Sequence, residues 1–128
     1  MSLAEATILG AYLAGFGAAT YFHASDVIRR GLFPYVLAPR PMNVFWTSLT
    51  LLDPLVIVLL VTGRRRLGLG LAALVMAADV AVNCYAFFGI GYSDFTRSLL
   101  MQTGFLGFVT GSLPFLWPER SPVRPAPS

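Results

Sequence analysis

NVFWTSLTLLDPLVIVLLVTGRRRLGLGLAALVMAADVAVN, residues 43–83, is two apolar runs joined at Arg64, Arg65 and Arg66, with one carboxylate inside each run, Asp53 and Asp79. A helix that crosses a bilayer needs roughly 20 mostly apolar residues. Residues 44–62 and 67–88 both meet that length, and the turn between them is so short that they must run antiparallel as neighbours.

Outward from this hairpin, two more runs of the same kind occupy residues 4–22 and 98–117. Hydrophobic residues make up 56% of the 128-residue chain and charged residues only 12%, about half the share in soluble domains, so the solvent is a bilayer. The expectation is an all-α, polytopic bundle of four transmembrane helices forming one domain over residues 1–117. Residues 118–128, with Pro118, Pro122, Pro125 and Pro127, form a surface tail. Between the first two runs, Pro34, Pro39 and Pro41 forbid one continuous helix.

All nine basic residues are Arg. They cluster at the ends of apolar runs rather than along one face, which reads as membrane orientation and not as nucleic-acid binding. The Arg64–Arg66 turn has no acid beside it, and the tail adds Arg120 and Arg124 against Glu119. At the other end Arg29, Arg30, Arg40 and Arg97 are offset by Asp26 and Asp94. Positive charge concentrates on the cytoplasmic side of membrane proteins, so both termini are expected to be cytoplasmic. The first nine residues contain Glu5 and no basic residue, so the first run is expected to be a retained helix rather than a cleaved signal. Together with the arginine turn this fits a bacterial inner membrane. Cys84 is alone, which excludes an intrachain disulfide and a Cys-rich metal site; no metal and no cofactor is expected.

In lipid, helices approach each other through small residues. Gly10, Ala14, Gly17 and Ala18 in the first run and Gly104, Gly107 and Gly111 in the fourth are expected as close-approach seams. Trp46 and Trp117 lie near the ends of their runs, where interfacial anchors belong. Pro54 and Pro114 fall inside the second and fourth runs and should each free a backbone carbonyl.

An ionised side chain at the bilayer centre costs about 2.5–3.5 kcal/mol on insertion scales, so Asp53 and Asp79 must be buried, paired or protonated. Counted at 1.5 Å per residue from the arginine turn, both lie roughly 16–20 Å deep and can face each other. Asn83 is one turn beyond Asp79, Gln102 enters from the fourth run at a similar depth, and His23 and Asp26 share a face where the first run ends. These residues outline a polar cleft open to the outer side, with the aspartates at its floor. Such a site suits proton transfer between carboxyls, and equally the binding of a cationic amine beneath Trp46, Tyr85, Phe87 or Phe105. A purely structural reading fits the same residues: Asp79 and Asn83 bonded to Thr47, Ser48 or Thr50, and Asp53 capping the irregularity at Pro54.

HASD (23–26), FWTSLTLLDPL (45–55), ADVAVNCYAF (78–87) and GFVTGSLP (107–114) together resemble the four-helix domain shared by emopamil-binding protein and the sigma-two-type receptor, the EXPERA-like family. The resemblance implies cytoplasmic termini and a pocket for sterols or amine drugs, with Asp26 and Asp53 at matching positions. The acid after His23 comes three residues later instead of four, and Phe45 stands where the isomerase has a Glu. Both departures point to a receptor-like pocket rather than to isomerase chemistry. The functions left open are a pocket for a lipidic or amine-bearing small molecule, an accessory subunit packed against a larger membrane complex or its own copy, and a sterol-isomerase-like enzyme. Membrane lipids are partners in all three.

Overall fold

The computed structural model describes residues 1–120 and 125–127; Pro122 and Arg124 of the expected tail lie outside the described residues. Four helices follow one another: α1 (Leu3–Arg30), α2 (Arg40–Val61), α3 (Arg65–Cys84) and α4 (Thr96–Leu116). A π-helical turn, Tyr85–Ile90, prolongs α3, and a single 3-10 turn, Ser93–Phe95, leads into α4. All four are long and apolar enough to cross a membrane.

Their limits follow from local chemistry. Ser2 and Glu5 form a reciprocal capping box that takes up two backbone N–H groups at the start of α1. Gly31, at φ +88°, ends α1 in a conformation that a side chain would resist, eight residues beyond the expected limit at Phe22. At 28 residues α1 is roughly 42 Å long, more than the hydrocarbon thickness of a bilayer. Pro41 sits in the first turn of α2, where its missing N–H costs nothing. Pro54 and Pro114 are accommodated inside continuous helices.

The helices run up and down, each packed on its neighbour in sequence. Arg65 Nη2 lies 3.1 Å from Glu5 Oε1, and Arg66 donates to the Pro118 carbonyl at 3.1 Å. These contacts bring the start of α1, the α2–α3 turn and the end of α4 to one end of the bundle, here called the inner end. Close by, Tyr12, Val56, Leu69, Val109 and Leu116 are wholly or almost wholly buried. Tyr12 closes the ring of helices there, with its hydroxyl donating to the Val109 carbonyl at 3.0 Å and lying 2.9 Å from Ser112 Oγ. Toward the outer end α1 and α4 both line a cavity.

The glycine seams are not where small-residue spacing places them. A Cβ on Gly10, Gly17, Gly104, Gly107 or Gly111 would meet nothing within 4 Å. The close approaches are at Gly68, where a Cβ would lie 2.6 Å from a Leu60 methyl and 3.2 Å from the Leu60 backbone nitrogen, and at Gly15, covered by the Phe105 ring. Spacing alone identifies a stripe of small residues but not which side of the helix has a neighbour. Gly68→Ala should therefore lower the stability of the detergent-solubilised protein by about 1–3 kcal/mol through overpacking, whereas Gly107→Ala, which meets no neighbour, should leave it unchanged or raise it by up to about 1 kcal/mol. Thermal melts of the two variants make the comparison.

Candidate functional site

The inward face of α3 is set by helical periodicity. Leu69, Ala72, Met76, Asp79, Asn83 and Ala86 recur at three- and four-residue steps and are all buried. Tyr85 is two residues past Asn83, about 200° around the helix axis. It therefore lies on the outer face, 61% exposed and away from the site in which it was expected.

Asp79 and Asn83 face a cavity of about 900 Å³ in the outer half of the bundle. α2 contributes Trp46 and Asp53, α1 contributes Gly15, Phe16, Phe22 and His23, and α4 contributes Met101, Gln102, Phe105 and Phe108. The volume falls within the range of pockets that enclose a whole small molecule, about 300–1,000 Å³. Two wall residues, Phe22 and Met101, are 63% and 65% exposed, so the mouth opens sideways between α1 and α4. Above it, Tyr35 packs edge-on against Trp46, and Trp46 stacks on Phe95 with ring centroids 5.3 Å apart. These three rings form a roof on the outer side.

One half of the polar floor is held in a hydrogen-bond network. Trp46 Nε1 donates to Asn83 Oδ1 at 2.9 Å, and the Asn83 amide donates to Asp79 Oδ1 at 3.2 Å and to Gln102 Oε1. This network ties α2, α3 and α4 together at one level. Thr47 and Ser48, expected as partners for Asp79 and Asn83, instead donate to the carbonyls of Leu32 and Phe45. Trp46, expected as an interfacial anchor, is 2% exposed because its indole N–H is drawn inward to Asn83.

The other half is bare. Asp53 is 3% exposed and lines the cavity, yet its Oδ2 has no hydrogen-bond partner among the described residues. His23 is the nearest titratable neighbour on α1, and its Nε2 lies 3.9 Å away, beyond hydrogen-bond reach. No hydrogen bond links Asp53 to the irregularity at Pro54 among the described residues.

Asp26, expected in the cleft with His23, has another task. It accepts a 2.7 Å hydrogen bond from the Tyr35 hydroxyl, and burial followed by that bond holds the Tyr35 phenol well above its ordinary range. Asn43 fastens the same loop, accepting from the Tyr35 N–H at 2.9 Å and donating to the Tyr35 carbonyl. Tyr35, Phe95, Phe16 and Phe108 are site residues that the sequence reading missed. The three-to-four-residue spacing of Tyr12 with Phe16 and of Phe105 with Phe108 was the available signal for the α1 and α4 walls. Nothing local marks Tyr35.

No protein-family model, curated protein or solved structure matches the chain.

The two halves of the floor should respond differently to substitution. Asn83→Ala leaves the Trp46 N–H, Asp79 and Gln102 without their shared partner and should cost about 1–3 kcal/mol. Asp53→Asn removes no hydrogen bond and should leave the melting temperature of the unliganded protein at or above that of the wild type. Thermal denaturation in a non-ionic detergent reads both.

Proposed function

We propose that this is an integral membrane protein, oriented with both termini cytoplasmic, whose lateral cavity binds a lipidic, amine-bearing small molecule. The observation that carries the reading is Asp53, a buried carboxyl without a partner at the floor of a cavity with largely apolar walls. An unpaired buried carboxylate is costly, and a cationic amine seated against Asp53 removes that cost. Trp46 and Phe105 line the same cavity, and aromatic rings attract a cation. The apolar part of the ligand lies along Phe16 and Phe108 and leaves through the mouth between Phe22 and Met101. A molecule dissolved in the bilayer can enter that way without crossing water.

The arginine turn lies at the same end as both termini, and the positive-inside rule puts that end in the cytoplasm. The arginine-rich turn fits a bacterial inner membrane. The reading agrees with the EXPERA-like resemblance in its receptor form, with Asp53 as the shared acid. In this chain Asp26 instead bonds the Tyr35 hydroxyl.

N,N-dimethyldodecylamine is a suitable probe, with dodecanol as its neutral counterpart. The amine should raise the melting temperature of the purified protein and the alcohol should not. Asp53→Asn should abolish the shift while leaving the protein folded. An undiminished shift in Asp53→Asn contradicts the proposal.

A further inference from the structure

The Arg64–Arg66 turn is left unused by the cavity. Beside it the inner end carries a second groove, of about 830 Å³, lined by Gly63, Arg64, Arg65, Arg66, Leu67, Pro118, Glu119 and Arg120. Its form depends on one contact: the Arg66 guanidinium holds the Pro118 carbonyl, so the chain leaving α4 is drawn against the α2–α3 turn. Arg120 thereby joins three arginines from a different part of the sequence.

The charge of the groove is largely unspent. Arg65 is paired with Glu5, but its Nε is buried without a partner. Among the described residues, Arg64, Arg66 and Arg120 have no carboxylate within 4 Å. Among the described residues, Glu119 is the one acid on the groove's own lining. The first turn of α3 contains no acid, and no side chain caps it. Four guanidinium groups around one groove favour a phosphate, which can accept forked hydrogen bonds from several of them.

Position selects the source of that phosphate. α2, at 22 residues, is roughly 33 Å long, so the turn following it lies at the level of lipid headgroups. Leu67, on the groove's edge, begins an exposed apolar strip that continues down α3 through Gly70 and Leu74. A free anion would make no use of that strip; an acyl chain would lie along it.

We propose that this groove binds the phosphate headgroup of an anionic phospholipid, with its acyl chains along the Leu67–Leu74 face of α3. The site stands apart from the Asp53 cavity and does not depend on it. Arg64, Arg66 and Arg120 hold the phosphate, and Arg65 braces the groove through Glu5.

The test uses the full chain purified in a non-ionic detergent, with phosphatidate as the probe and binding followed by native mass spectrometry. At about 1 kcal/mol per basic residue near a lipid surface, each lost arginine should weaken binding about fivefold. Arg64→Gln with Arg66→Gln should therefore weaken it about 25-fold. Arg29→Gln with Arg30→Gln, which removes the same charge from the outer end, should leave it unchanged. Equal losses in the two double variants would overturn the site in favour of unspecific charge attraction. Competition by millimolar inorganic phosphate as strong as that by phosphatidate would overturn the lipid assignment. If the double variant does not fold, Arg64→Gln alone, at an exposed side chain, carries the test with a fivefold loss expected and no loss contradicting the proposal.

Discussion

A carboxyl group held deep in an apolar bundle without a hydrogen-bond partner is the constraint on which this structure turns. Asp53 is in the middle of a helix long and apolar enough to cross a membrane, and nothing around it satisfies its Oδ2. Water in a bilayer cannot offset that cost, and a protein of this size has little stability in reserve. A carboxyl so placed must be protonated or meet a polar group in the cavity beside it. Asp79, by contrast, is held by Asn83, which is itself held between Trp46 and Gln102. Two carboxyls of similar depth thus have different physical roles: one braces three helices, and the other faces the space between them.

α1 and α4 are joined toward the inner end and flank the cavity farther out. Tyr12 bonds across to α4 at Val109 and Ser112, and the rings of Phe16, Phe105 and Phe108 continue the contact outward. Beyond them the wall residues Phe22 and Met101 are exposed rather than packed on each other. The outer end is roofed by Tyr35, Trp46 and Phe95, and the loop carrying Tyr35 is fastened at Asp26 and Asn43. A closed roof with an open flank is the shape that the proposed ligand, arriving through the bilayer, requires.

Much of this was legible in the chain because a few physical rules act strongly. Hydrocarbon thickness fixes the length of a spanning run, and the arginine turn fixes which runs are neighbours, so the four helices and the shared depth of Asp53 and Asp79 follow from counting. Asn83 and Gln102 were found by the same count. Counting depth does not determine rotation: Tyr85 was placed in the site although its helical phase turns it outward. Nor does it report who sits opposite whom, which is why the stripes at Gly10 and Gly107 looked like seams while the tight contacts are at Gly15 and Gly68. The roof was illegible for a further reason. Tyr35 reaches Asp26 and Trp46 only because Asn43 folds a proline-rich loop back over the bundle, and no periodic pattern encodes that return.

The central claim is that the space beside Asp53 is a binding site open between α1 and α4. An experimental density map of the protein extracted gently from its native membrane tests this most directly. The account predicts elongated non-protein density running from the Asp53 carboxyl to the gap between Phe22 and Met101. A map in which α1 and α4 close along their full length, with Asp53 bonded to a protein donor and no space between them, would contradict it.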